Sequence, residues 1–280
     1  MDGSLRDVPL AARLSDVTAF LDDVYDPAWA ESWDAVGLVC GDPDQPVERV
    51  LFAVDPVAAV VAEAIEWGAD LLITHHPLLL RPVSSVAATT PKGRLVHRLI
   101  TSGVALFTAH TNADVANPGV SDALARTVGL TGRLWPLAPA ADEPSRGLGR
   151  IGTPAAPLSL AEFAAQAAKG LPATAGGLRV AGDPDRTVRT VAVSGGAGDS
   201  LLDAARAAGV DVFLTADLRH HPASEFGEHD DGPALIDAAH WATEWPWLAD
   251  AERLLTGALD LQTRVSTLVT DAWTISEGAK

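Results

Sequence analysis

Short apolar runs alternate along the chain with longer segments whose apolar residues recur every three or four positions. The first pattern marks buried strands, the second helices packed on them. Arg49–Val54, Asp70–Thr74 and Val104–Ala109 are runs of the first kind; Leu10–Val24, Pro56 to about Trp67 and Pro91 to about Ser102 are of the second. Pro56 and Pro91 suit a first helical position, which has no amide bond to lose. After a short helix over Ser121–Val128 comes a Pro- and Ala-rich stretch, Trp135–Pro144, the best place for a lobe boundary. The alternation then resumes with strands near Gly149–Ile151, Leu178–Ala181 and Val188–Val193, and a helix from Ser159 whose Glu162 completes a capping box. A helix from about Asp199, strands at Asp211–Thr215 and Pro233–Asp237, a helix over His240–Leu255 and an edge-like strand at Leu261–Val269 complete the order. This predicts an α/β fold of two related lobes, residues 1–135 and 136–280, interlinked, with mixed and parallel sheets flanked by helices.

The two halves also repeat each other. Val50–Leu78 lies over Val191–Arg219 without a gap, so that Gly68, Asp70 and Thr74 answer to Gly209, Asp211 and Thr215. Further on, the run from Gly103 to His110 resembles that from Gly232 to His240, and each His is followed four residues later by a carboxylate, Asp114 and Glu244. In parallel α/β sheets ligands bind outside the carboxyl ends of the strands. Two such halves facing each other would pool His75, His76, Asp114, His240 and Glu244, a donor set of imidazole and carboxylate suited to metal. His75 and His76 are adjacent, so both reach one cavity only where the strand is already turning, or if each takes its own ion. Pro77 favours that turn.

Composition narrows the setting. A chain of 280 residues, 48% hydrophobic, is long enough for two joined lobes. Its net charge of −17 argues against nucleic acid and against an anionic membrane surface as partners. One cysteine, Cys40, leaves no thiolate metal site and no disulfide framework. The N-terminal residues lack the pattern of a signal peptide and no long apolar span is present, so a cytoplasmic protein is expected.

Other polar residues have structural readings beside chemical ones. His110 reads as a group that orients a ligand or as a satisfied strand-end histidine, and Asp34 and Asn112 as pocket residues or turn caps. Asp55 reads as a helix N-cap, and His97 and His229 as surface residues. His220 and His221 face either the cavity or the surrounding structure. Gly195-Gly196 reads as a tight turn, with anion binding as the alternative. The tryptophans of Trp241-Ala-Thr-Glu-Trp-Pro-Trp247 read as packing residues, with base stacking as the alternative.

Seven motifs in order resemble the GTP cyclohydrolase I type 2 homologues, the Nif-three-like dinuclear-metal proteins. They are Ser32-Trp-Asp-Ala-Val-Gly-Leu38 with Gly41, Ile73-Thr-His-His-Pro77, His110-Thr-Asn-Ala-Asp114, Gly147-Leu-Gly-Arg-Ile-Gly152, Val191-Ala-Val-Ser-Gly-Gly196, Asp211 to His221, and His240-Trp-Ala-Thr-Glu244. The resemblance implies His75, His76, Asp114, His240 and Glu244 as ligands of two ions. It also implies a Nif-three-like fold assembled as a toroidal homohexamer, a trimer of dimers with its metal sites facing an inner cavity. The chain departs from the family pattern at Ala35, at Ala216-Asp217 and at Ala239 and Trp241, none of them an implied ligand. Its length leaves little room for the domain that some members carry between their lobes.

The donor set suits two divalent ions drawn from zinc, iron, manganese, cobalt or nickel. A water bound there ionises near neutral pH and attacks while the other ion polarises the bond, which is hydrolytic chemistry. Two divalent ions and two carboxylates leave about +2, which favours an anionic substrate such as a nucleotide. A GTP cyclohydrolase activity is implied by the resemblance alone. A metal-dependent phosphoester or amide hydrolase, and a non-catalytic, metal-stabilised hexameric scaffold or regulatory protein, are the alternatives.

Overall fold

The computed structural model describes residues 12–277. Eleven strands build two sheets. The first contains β1 (Gly37–Cys40), β2 (Arg49–Ala53), β3 (Leu71–Thr74), β4 (Ala105–Thr108) and, from the far end of the chain, β11 (Gln262–Val265). The second contains β5 (Leu130–Pro139), β6 (Gly147–Pro154), β7 (Leu178–Ala181), β8 (Val191–Ala197), β9 (Val212–Ala216) and β10 (Ala234–Ala238). Spatial orders are β11-β2-β3-β4-β1 and β7-β10-β9-β8-β6-β5. Four consecutive neighbours are parallel in the first sheet, β11-β2-β3-β4, and three in the second, β8-β9-β10, while β1, β5, β6 and β7 run antiparallel to their neighbours. The fold is mixed α/β.

The sequence repeat reappears as a repeat of register. Val50 pairs with Leu71 and Leu71 with Ala105; at matching positions Val191 pairs with Val212 and Val212 with Ala234. The shared Gly and Asp have visible tasks. Gly68 ends helix α2 (Ala58–Trp67) at φ 73°, and Gly209 adopts φ 64° at the corresponding turn. Asp70 Oδ2 accepts from the amides of Glu48 and Arg49 at 2.8 and 2.9 Å, and Asp211 Oδ2 from those of Arg189 and Thr190 at 2.7 and 2.9 Å. Each carboxylate thus ties the start of one parallel strand to the residue that precedes the next.

Both faces of the parallel strands are covered, which is why they read as unbroken apolar runs. Val50, Phe52, Leu71, Ile73 and Phe107 pack with helices α1 (Leu14–Val24) and α9 (His240–Ala258), while Leu51, Leu72 and Leu106 pack with α2 and α3 (Pro91–Thr101). In the second sheet Val191, Val193, Val212 and Leu214 pack with α5 (Val120–Thr127) and α6 (Leu160–Gly170). On its other face Ala192, Phe213 and Leu235 pack with α7 (Leu202–Ala207) and α8 (His220–Phe226). Two segments cross over: α5, from the first half, contributes Leu124 and Ala125 to the second core, and α9, from the second half, contributes Trp247, Leu248 and Leu255 to the first.

Several boundaries differ from expectation. The divide at 135/136 falls inside β5, and the first half of the Pro-rich stretch is strand, because β5 is an edge where Pro136 and Pro139 need not donate to a neighbour. Helix α2 begins at Ala58, so Pro56 lies before its cap Val57. The first expected helix starts at Leu14 within the described residues, and Leu10 lies outside them. Strand β1 and helix α8 carry no clear periodicity and emerge only from the structure. The capping box is present: Ser159 Oγ accepts from the Glu162 amide at 3.2 Å and Glu162 Oε2 from the Ser159 amide at 2.8 Å. No helix among the described residues is long and apolar enough to cross a membrane.

Because Asp70 and Asp211 perform the same task in separate sheets, Asp70→Ala and Asp211→Ala should each destabilise the protein by about 1–3 kcal/mol through orphaned amides. The double variant should be near-additive. Urea unfolding measures both, and a strongly sub-additive double variant would contradict the equivalence.

Candidate metal centre

Apart from the edge strand β11, every parallel strand of both sheets ends at one cleft between them. β2 is followed by Asp55, β3 by His75 and His76, β4 by His110, β9 by Asp217 and β10 by His240, while Gly196 lies in β8. The adjacent histidines both reach the cleft because the chain turns at once. Thr74 Oγ1 donates to the His76 carbonyl at 2.9 Å, and the two rings stand 5.2 Å apart with 42° between their planes.

Each of four imidazoles is anchored from behind through Nδ1. His75 donates to the Ala109 carbonyl at 2.9 Å, and a carbonyl can only accept, so the proton sits on Nδ1 and the neutral ring presents a lone pair at Nε2. His76 is held by Asp55 Oδ1 at 2.7 Å, His110 by Asp34 Oδ1 at 2.8 Å, and His240 by Asp217 Oδ2 at 2.7 Å. Oxygen partners of this kind fix the ring and raise its basicity, as behind metal-bound histidines. Asp34 is fixed in turn by the Thr111 amide at 3.0 Å and the Ala35 amide at 2.7 Å.

The far ring nitrogens converge on Glu244, one helical turn beyond His240 at the start of α9. Its carboxylate lies 3.4 Å from His75 Nε2, 3.0 Å from His76 Nε2 and 2.9 Å from His240 Nε2. Asp114 Oδ1 is 3.8 Å from His75 Nε2. Two groups are tight enough to share an ion, His75 with His76 and His110, and His76 with His240 and Glu244. His110 therefore faces the same space as the expected ligands, with Asp34 behind it, and Asp114 stands just outside the two tightest groups.

The donors fit a cation. His75 Nε2 is buried without a hydrogen-bond partner, and beside the buried Glu244 Oε2 stands the ring nitrogen of His76, 3.0 Å away. A buried lone pair and a buried carboxylate oxygen are costly unless something positive lies between them. Protons supply part of that charge. Burial opposes protonation of His76 and His240, yet Glu244 together with Asp55 and Asp217 outweighs it, and their pKa values rise to about 10 and about 11. His75 is raised for the same reason, against its own burial. Burial would raise Glu244, but His76 and His240 hold it well below the usual carboxylate range. Burial raises Asp114.

Gly196 keeps the room. At φ 66° it passes so close that an added Cβ would sit 2.6 Å from Glu244 Oε1 and 3.2 Å from His240 Nε2. Gly195-Gly196 is thus neither the expected tight turn nor a phosphate loop but strand backbone pressed against the donors. The cleft has a volume of about 890 Å³, and its lining includes His76, His110, Asp217, His240, Trp33 and Trp273.

Asp55 and Asp217 are the functional residues that sequence reasoning missed. Asp55 resembled an N-cap, and Asp217 stood at a departure from the family pattern; the repeat itself was the signal, since Asp217 occupies the position of His76. Asn112, in the short helix α4 (Thr111–Val115), caps its start, accepting from the His110 amide at 2.9 Å and donating to the Tyr25 carbonyl at 2.7 Å. His97, His220 and His221 are exposed and outside the cluster, and His229 pairs with Arg206. Trp241 and Trp247 are buried in the core.

A family model for Duf34/NIF3 (NGG1p interacting factor 3) matches residues 12–274. A Streptomyces coelicolor protein named GTP cyclohydrolase 1 type 2 homolog is 59% identical over 269 residues, covering 94% of each chain. A Mycobacterium tuberculosis protein of the same name is 40% identical, covering 95% of this chain and 98% of its own. That alignment runs over 373 positions, more than this chain has residues, so this relative carries additional sequence. Among solved structures, a Staphylococcus aureus hypothetical protein superposes with a TM-score of 0.87 at 28% identity, covering 95% of this chain and all of its own. A Bacillus cereus protein related to NIF3 gives 0.86 at 23% identity, covering 95% and 99%.

Two outcomes follow from the geometry. Gly196→Ala should fold yet retain at least tenfold less metal, read as metal content after dialysis; wild-type retention would contradict the close approach. The pKa values of His76 and His240 lie above the ordinary 6.5, so their protonation stabilises the ion-free protein below about pH 6.5, and that stability fades as pH rises through 10 to 11. The rise in melting temperature on adding zinc should therefore grow from pH 6 to pH 9, as protons cease to compete. A rise independent of pH would contradict this assignment.

Proposed function

The chain belongs to the Duf34/NIF3 family, and from that membership and the cleft's donor set we propose that it is a dinuclear-metal-dependent hydrolase acting on a nucleotide or related anionic substrate. One observation carries the reading: three imidazoles, each anchored at Nδ1 by an oxygen, come within 3.4 Å of the buried carboxylate of Glu244, and a fourth, His110, anchored in the same way, joins two of them. The ligands of the proposal are His75, His76, Asp114, His240 and Glu244, with His110 facing the same space. Zinc, iron, manganese, cobalt and nickel all suit such donors. When bound, two such ions lower the pKa of water and polarise the bond under attack.

The chain's own residues prepare that chemistry. Asp55 and Asp217 each hold an Nδ1 proton, as does the Ala109 carbonyl, so Nε2 is the donor atom of His76, His240 and His75. Asp34 does the same for His110, and its pKa is depressed: burial opposes ionisation, but hydrogen bonds from His110 and Thr111 prevail. Gly196 leaves space beside Glu244. The proposal extends to a homohexamer, a trimer of dimers with its clefts facing an inner cavity; sedimentation equilibrium giving a monomer would overturn that extension.

The test is metal content by plasma mass spectrometry on protein purified without a histidine tag or chelator. Near two equivalents per chain are expected, with Asp114→Ala and Glu244→Ala folded but depleted. Retention in both variants would refute the ligand set. No metal, even after incubation with zinc, manganese or iron, would refute the hydrolase.

A further inference from the structure

The eight tryptophans of the chain are not treated alike. Trp241 and Trp247 are 4% and 1% exposed. The rings of Trp29 and Trp67 are covered by the guanidinium groups of Arg146 and Arg264, at 4.0 and 4.5 Å, and Trp245 Nε1 donates to the Ser266 carbonyl at 2.9 Å. Trp135 is 45% exposed on the edge strand β5 and does not line the cleft, whereas Trp33 and Trp273, 57% and 73% exposed, both line the cleft that holds the histidines. They reach it from distant parts of the chain. Trp33 meets the His110 ring edge-on at 6.0 Å and 78°. Trp273 follows a segment tied down twice, where Ser266 Oγ donates to Glu63 Oε2 at 2.6 Å and Thr270 Oγ1 donates to Asp55 Oδ2.

Two indole faces kept exposed and positioned beside a donor cluster match a flat aromatic ligand, because stacking is favourable on any base and costs little side-chain entropy. The cations lining the cleft are Lys92 and Arg179. Arg179 is engaged by Asp237, whereas Lys92 makes no ion pair among the described residues. We propose that Trp33 and Trp273 grip a planar heterocyclic base at the cleft mouth, with Lys92 serving its phosphate, so that the ligand is a nucleoside monophosphate or close relative. The proposal names the substrate class of the same cleft and in that sense rests on the hydrolase reading, but the grip itself requires no metal.

The test is calorimetric titration of chelator-treated and metal-loaded protein with guanosine 5′-monophosphate and with ribose 5-phosphate. In at least one form the nucleotide should bind tenfold or more tightly than the base-free sugar phosphate. Trp33→Ala and Trp273→Ala should each remove most of that preference and leave ribose 5-phosphate unchanged, while Trp33→Phe and Trp273→Phe should retain it. Lys92→Ala should weaken both ligands alike. Equal affinity for the two ligands, no nucleotide binding in either form, or unchanged preference in both alanine variants would overturn the grip. So would alanine variants that change the sedimentation coefficient and not the affinity, which would assign the two rings to an interface between copies of the chain. Metal content stands apart from all of these readouts, so the grip and the hydrolase can fail separately.

Discussion

A buried carboxylate governs the architecture of the centre. Glu244 is 3% exposed and stands within 3.4 Å of three imidazole nitrogens drawn from both halves of the chain. An isolated charge in that position would be untenable, and the structure responds by aiming every nearby ring at it and bracing each ring from behind. The turn after β3, the start of α9 at His240 and the glycine backbone of β8 are all parts of that response.

Much of this was legible because the chain repeats itself. The alternation of short apolar runs and amphipathic segments gave five of the parallel strands within a residue or two, whereas β8 begins three residues later than expected and β11 ends four residues earlier; the ungapped repeat foretold a shared register. The same repeat concentrated His75, His76, His110, Asp114, His240 and Glu244 at equivalent strand ends. What escaped notice was the layer behind the rings. Asp55 precedes a proline after a strand, a common setting for a cap, and nothing in its neighbours says that a histidine 21 positions later turns back to meet it. Pro136 and Pro139 suggested a linker because edge position is a property of the sheet and not of the segment. Helix α8 and strand β1 are too short and too mixed in polarity for periodicity to register.

The departures from the family pattern gain a physical meaning in the same light. Asp217 sits at φ 56°, the only non-glycine residue in the left-handed region among the described residues, and its carboxylate holds His240. The conformational cost of that backbone is met where a ring must be oriented, as is usual for strained positions near a site. Ala35, by contrast, offers only its amide to Asp34, a task any residue could perform. Substitution is therefore tolerated there without disturbing His110.

Helix α9 has a double occupation whose consequence is mechanical. Its first turn carries His240 and Glu244, while its later turns bury Trp247, Leu248 and Leu255 against the opposite sheet, and β11 then extends that sheet's edge. The two halves look like copies, yet neither is a module that could be cut free, since each core is finished by a segment borrowed from the other. A force that parts the lobes must draw α9 out of one of them, and the donor cluster comes apart in the same movement. The centre thus works as a clasp on an internal exchange, and the protein answers to load as one body despite its twofold design.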